Sequence, residues 1–366
     1  MSSNNNKTSS PEPFLMNSGN GTYSYSRNSR FQREALVIIK MMIDEAIAEK
    51  LDIQSLSSIS KSLRIADLGC SVGPNTFLAM QTLIEAIENK YEAECLKHGY
   101  RLPEFQVFFN DHAANDFNTL FSSLPPGKSY FVAGVPGSFH GRLFPESFLH
   151  IVYSSFALQW LSQVPEKVLD KDSPAWNKGR IFYTSASDEV ANAYAAQFAE
   201  DMDNFLKFRA VEMASGGMIF LMVPGVADDC HPSQSGGGWL YDALGSSLMD
   251  LANKGLISEA QVDSFNLPVY FASLKEIISS VERNGCFSIV RAKLTDAILG
   301  NYDDPVNIQA YALHIRAVVE GSIVKHFGSE IIDDLFDRFF QKLTQVANLD
   351  PLSYKGGQIF VALKRK

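Results

Sequence analysis

RIADLGCSVGPN, residues 64–75, decides how the rest of the chain is read. Residues 64–68 form a short apolar run with an acid, Asp67, at its end. Gly69 and Gly73 permit positive φ and close backbone approach, and residues 75–90 carry a helical pattern. Strand, glycine turn and helix in immediate succession are the local geometry of a nucleotide-type crevice at the C-terminal edge of a parallel sheet. The spacing is not the dinucleotide GxGxxG, because three residues separate the two glycines, and no Lys-Ser/Thr pair follows to cradle phosphate. Pro74 sits early in the helix, where its missing N–H costs nothing. An acidic strand end facing a glycine turn suits a ligand with a ribose and a cationic amino acid part better than one rich in phosphates.

Outward from this unit, FQVFF at residues 105–109 is a second strand ending in Asn110 and Asp111. An acid at the end of the second strand is where a ribose diol is held in open α/β sheets, since a carboxylate accepts from both hydroxyls. A third strand is expected at residues 130–133, followed by the ordered loop GVPGSFHGRLFP, and a fourth at residues 150–153 with Ser154 and Ser155 as its polar end. Residues 157–163 are then expected to turn back as a short helix bearing Trp160. Three strands thus end in polar, glycine-rich loops that converge on one edge.

Upstream, residues 1–13 are rich in Ser, Asn and Pro and are expected to be disordered. A strongly apolar helix is expected over residues 30–51, with Ser29 and Gln32 spaced as a capping box. Downstream, residues 166–180 look like an insertion, residues 187–214 a long helix and residues 218–223 a strand. The sheet pattern then lapses into amphipathic helices at 236–255, 274–285, 308–327 and 330–343, with late antiparallel edge strands at 287–292 and 358–363. Four divisions follow: a disordered start at 1–13, a core with an N-terminal lid segment at 14–226, a mainly helical cap at 227–330, and a last helix and strand at 331–366.

At 366 residues with 46% apolar content, the chain can bury a substantial core. A net charge of −9 with scattered Lys and Arg argues against a nucleic-acid partner, which calls for a basic stripe. No apolar run approaches the roughly 18 residues of a membrane span, and no signal-type segment opens the chain. Cys70, Cys95, Cys230 and Cys286 show no paired spacing, so reduced thiols in the cytoplasm and no metal site are expected.

SYSRNSRFQ, IADLGCSVGPNT, FFNDHAANDFNTLF, GVPGSFHGRLFP, SSFALQWLSQVP and NKGRI occur in that order, and together they resemble the plant SABATH methyltransferases. The resemblance runs from Phe14 to the C-terminus. It implies an α/β fold: a Rossmann-like, seven-stranded class I methyltransferase sheet with a mostly helical substrate-capping domain. It also implies an S-adenosylmethionine-dependent enzyme, assembled as a homodimer, that methylates the carboxyl group of a small acid or, alternatively, a ring nitrogen of a xanthine-type alkaloid. By resemblance Asp67, Gly69 and Asn75 meet the donor's methionine end, with Tyr25 and Ser29 closing over them. Asp111 is the ribose acid, His112 lies against the adenine where relatives often have Leu, and Ser138 and Phe139 flank the adenine. Ser154 and Phe156 line the methyl-transfer gap. Gln32 and Trp160 match the pair that holds a substrate carboxylate by an amide and an indole N–H. Gln159, Leu240, Tyr241, His314, Ile315 and Val318 complete the acceptor pocket.

The chemistry suits those residues. A carboxylate with an unperturbed pKa near 4 is already ionised at neutral pH, so no general base is required. Two neutral donors orient it without quenching its nucleophilicity as an Arg would. Blander readings stand beside these: Gln32 as a capping residue, Trp160 as core, Asp67 and Asp111 as caps, His140 and His314 as surface or satisfied polar groups. Gln159 leans toward the nitrogen-methylating relatives and Gln32 toward the carboxyl-methylating ones. Tyr241, His314 and Gln159 point to a polar or hydroxylated acid. A dehydrogenase would show GxGxxG and a dead binding module would have lost the acids or Asn75; neither holds here.

Overall fold

The computed structural model describes residues 14–53, 62–98, 102–235, 237–296, 305–347 and 356–366, so the expected disorder of residues 1–13 falls outside it. The chain runs α1 (Arg30–Lys50), β1 (Ser62–Leu68), α2 (Pro74–His98), β2 (Glu104–Asp111), α3 (Phe117–Ser122), β3 (Tyr130–Pro136) and β4 (Leu149–Ser155). After a 3-10 turn at Glu166–Val168 come α4 (Asp188–Glu212), β5 (Met213–Val226), a second 3-10 turn at Pro232–Gln234, α5 (Gly238–Asn253), α6 (Glu259–Asp263) and β6 (Ala272–Ser273). Last are α7 (Leu274–Asn284), β7 (Phe287–Asp296), α8 (Pro305–Phe327), α9 (Ile332–Ala347) and β8 (Gly357–Arg365).

The sheet order is β3-β2-β1-β4-β5-β8-β7. Strands β1 to β5 are parallel, and β8 is antiparallel to both β5 and β7. The chain winds one way from β1 to β3 and then crosses to β4. The crevice for a ligand therefore opens at the C-terminal ends of β1 and β4, where the winding reverses. Two expectations need correcting. The sheet carries an eighth strand, the two-residue β6, paired with the end of β5. Strand β8 is interior, because it inserts between β5 and β7; only β7 of the late pair is an edge.

Period-two alternation builds both faces of the sheet. Leu63, Ile65, Phe105, Val107, Ile151 and Phe220 pack with α1 and α2, while Ala66, Leu68, Val152, Ile219 and Val361 pack with α4 and the helices of the cap. Helix α2 opens on Pro74, as expected of a first helical residue. Helix α7 is closed by a capping box, Ser273 with Glu276, and by Gly285 at φ 70°. Ser29 is the N-cap of α1, but among the described residues its side chain makes no capping bond, so the expected box with Gln32 does not form. Both side chains are used elsewhere.

Candidate active site

Strand ends set the floor. The N–H groups of Gly69 and Cys70 donate to the Asn110 carbonyl at 2.9 and 3.0 Å, and Asn110 Nδ2 donates to the carbonyls of Val135 and Gly137 at 2.7 and 2.9 Å. Those bonds hold the exits of β1, β2 and β3 side by side. Gly69 has φ 88°, and a Cβ there would lie 2.3 Å from the Cβ of Ala157, so this position admits no side chain. Phe156 adopts φ 51°, a conformation a bulky residue takes only under constraint; its N–H donates to the Met222 carbonyl at 2.8 Å.

Two acids meet this floor. Asp67 is 3% exposed, accepts the Thr76 hydroxyl, and has its carboxyl pushed up to about 7, mainly by burial. Asp111 accepts the N–H groups of Ser71 and His112 at 2.8 and 2.7 Å, and burial raises its carboxyl against the pull of those bonds. Burial, then these two carboxylates, raise the Tyr25 hydroxyl. A half-buried acid and a phenol line a space, with the buried Asp67 just behind it, and this grouping favours a cation and a diol.

One wall is the loop that carries Ser138 and Phe139. It is pinned from behind by a fully buried ion pair on α4, Arg209 to Glu212 at 2.8 Å. Arg209 donates to the carbonyls of Phe139 and Gly141, both at 2.8 Å, and Glu212 accepts the N–H groups of Leu143 and Phe144.

The cavity above this floor is roofed by residues 14–32 and α8. Trp160 lies in a turn, where an expected short helix does not form; its backbone makes an isolated bridge to Val269, and its ring sits 5.8 Å from that of Phe14. Gln159 Nε2 donates to the Phe156 carbonyl at 2.8 Å, leaving Oε1 buried with no partner among the described residues. Gln32 Nε2 lies 3.3 Å from His314 Nε2, and Gln32 Oε1 is likewise buried and unpartnered there.

A cavity of about 410 Å³ gathers most of the expected residues: Tyr25, Gln32, Gly69, Asp111, His112, Ser138, Phe139, Phe156, Gln159, Trp160, Leu240, Tyr241, His314, Ile315 and Val318 all line it. Four expected residues stand behind the lining instead. Asp67 holds Thr76. Ser154 Oγ donates to the Leu68 carbonyl at 2.8 Å. Asn75 Nδ2 donates at 2.9 Å to both the carbonyl and the hydroxyl of Ser29, strapping α2 to the N-terminal segment. The cavity also takes in Phe14, Met16, Ser71, Asn115, His140 and Tyr311, which the motifs did not assign. His140 is a wall residue, not a surface one: its Nε2 faces the Trp160 carbonyl at 3.2 Å, while Nδ1 is buried without a partner among the described residues.

The strand order, the glycine turn after β1 and the acids ending β1 and β2 define a Rossmann-like sheet with a ligand crevice at the ends of β1 and β4. Residues 11–366 match the family described as SAM dependent carboxyl methyltransferase, and the chain belongs to that family, the plant SABATH group. It is 43% identical to loganic acid O-methyltransferase of Catharanthus roseus, over 97% of this chain and 95% of that one. It is 39% identical to farnesoic acid carboxyl-O-methyltransferase of Arabidopsis thaliana, over 96% and 99%. A solved structure of loganic acid methyltransferase with SAH matches at TM-score 0.90 and 43% identity, covering 96% of this chain and 98% of that one. The chain is thus an enzyme that uses S-adenosylmethionine to convert a carboxylate into its methyl ester, and the ring-nitrogen alternative is less supported. Among the described residues no helix is long and apolar enough to cross a membrane.

Proposed function

We propose that this enzyme esterifies a small hydroxylated acid whose carboxylate is held between Gln32 and Trp160. The donor lies across the strand ends, its methionine part beside Asp67 and Gly69, its ribose on Asp111 and its adenine between His112, Ser138 and Phe139. The observation that carries this reading is that Gln32 and Trp160, far apart in sequence, share one cavity with Gly69 and Asp111. Methyl transfer from a sulfonium is an in-line displacement that needs the acceptor oxygen within about 3–3.5 Å of the methyl carbon. Opposite charges cancel along that path, so a cavity walled by Phe14, Tyr25, Phe156 and Trp160 favours the transition state over the separated ions.

The acid's polarity follows from the orphaned acceptors. A hydrocarbon acid leaves Gln32 Oε1 and Gln159 Oε1 unpaired, at about 1–3 kcal/mol each, whereas a hydroxylated acid can donate to them. A panel of acids with radiolabelled donor tests this, with base lability identifying the product as an ester. Hydroxylated acids are expected to exceed apolar acids of equal size in kcat/KM; a preference for the apolar ones sinks the polarity argument. Gln32→Ala and Trp160→Ala are each expected to lower kcat/KM by about tenfold or more, the scale of one hydrogen bond to a charged group.

A homodimer in the cytoplasm completes the proposal. The first is what the family resemblance implies, and light scattering decides it. The second rests on the unbridged thiols of Cys70 and Cys286 among the described residues, and a fluorescent fusion decides it.

A further inference from the structure

We propose that His314 is a positioning residue, whose imidazole, fixed in one tautomer by the backbone of the N-terminal segment, sets which edge of Gln32 meets the acid. The inference rests on the proposed role of Gln32. His314 Nδ1 lies 2.8 Å from the Asn28 carbonyl oxygen, which can only accept, so Nδ1 carries the hydrogen. Burial lowers the ring's pKa and keeps it neutral. Nε2 is then a bare lone pair, and Gln32 Nε2, 3.3 Å away, must donate to it. The amide cannot turn over without setting its oxygen against that lone pair. One Gln32 N–H is spent on the ring, and the second N–H and Oε1 are left for the substrate.

The carbonyl that selects the tautomer is itself fixed. Asn28 donates through Nδ2 to the carbonyls of Thr22 and Ser24, both at 2.8 Å, and its neighbour Ser29 is strapped to Asn75. The ring is braced by Phe31, edge-on at 5.7 Å, and by Tyr25 at 6.4 Å. The His314 imidazole therefore links one contact between the N-terminal segment and α8 to the alignment of the carboxylate-holding amide.

A double-mutant cycle tests this, with kcat/KM for the acid and calorimetric affinity for S-adenosylhomocysteine read on each variant. His314→Phe, which keeps an aromatic ring but has no acceptor, is expected to lower kcat/KM by about tenfold and to leave S-adenosylhomocysteine binding within about twofold. His314→Gln, whose oxygen can accept where Nε2 did, recovers most of the loss. In a Gln32→Ala background, His314→Phe costs nothing further. A His314→Phe loss that adds in full to that of Gln32→Ala, or a His314→Gln variant no better than His314→Phe, overturns the inference while leaving Gln32's own role standing. A fully active Gln32→Ala enzyme removes that role and this inference together.

Discussion

Asp67 lies on the same face of β1 as Leu63 and Ile65, so the strand's alternation buries an acid exactly where the glycine turn begins. Its carboxyl stands at about 7 because burial outweighs the Thr76 hydroxyl bond. In the ligand-free enzyme the folded carboxyl keeps its proton to about pH 7, whereas the unfolded chain releases it near pH 4. This group's contribution to stability is therefore complete below pH 4 and declines as pH rises to 7. A donor that sets an ammonium beside Asp67 favours the ionised form and must expel that proton. Affinity for S-adenosylhomocysteine is expected to rise by up to about tenfold per pH unit below 7 and to level off above it. Calorimetry at pH 6 in buffers of different ionisation enthalpy should register proton release; Asp67→Asn should bind more weakly and release none. A wild-type enzyme that exchanges no proton on binding contradicts this placement.

Among the elements, α4 and the loop it pins show how much of the site was legible. The glycine turn after β1, the acid ending β2 and the Ser138-Phe139 loop were readable because each is a local signal at a strand end. Arg209 and Glu212 were not: on a long helix they look like any i,i+3 pair, and only the fold reveals that both are fully buried. Trp160 was misplaced for the same reason, since an apolar run gives no hint that its backbone bridges to Val269. Gln32 fitted a capping box in sequence, but its tertiary partner His314 claimed the amide. Glu212→Gln leaves Arg209 buried without a counter-charge and is expected to cost about 3–5 kcal/mol in denaturant unfolding. The exposed pair Arg283 and Asp203 is the control, and Arg283→Ala should cost less than about 1 kcal/mol. Equal losses at the two sites would mean that the buried pair is not what holds the Ser138-Phe139 loop. The strap from α2 makes a separate prediction: Asn75→Ala should raise amide exchange across residues 17–29 while leaving β1 and β2 protected. Unchanged exchange in that segment would show that the strap is redundant.

At the scale of the whole molecule, the cavity is assembled from parts that have little local reason to be together. The floor belongs to the sheet, one wall to α4's pinned loop, and the roof to residues 14–32 resting on α8, where the Asn17 N–H donates to the Ala317 carbonyl at 2.8 Å. A ligand touching all of these joins segments that otherwise meet through a few hydrogen bonds, so its binding energy is expressed as stability of the folded state. S-adenosylhomocysteine at a hundred times its Kd should add about 2.7 kcal/mol to unfolding, and NAD at the same concentration should add nothing. The protection should also be distributed: exchange should slow in residues 17–29 and 308–318 as well as at the strand ends, because a bound ligand adds contacts to the roof as well as to the floor. Adding the acid substrate on top of S-adenosylhomocysteine should slow exchange further in α5 and α8, whose Leu240, Tyr241, His314, Ile315 and Val318 line the cavity. Were protection confined to the ends of β1 and β2, the donor would be binding the sheet alone, and the N-terminal segment would have no part in holding the methyl acceptor.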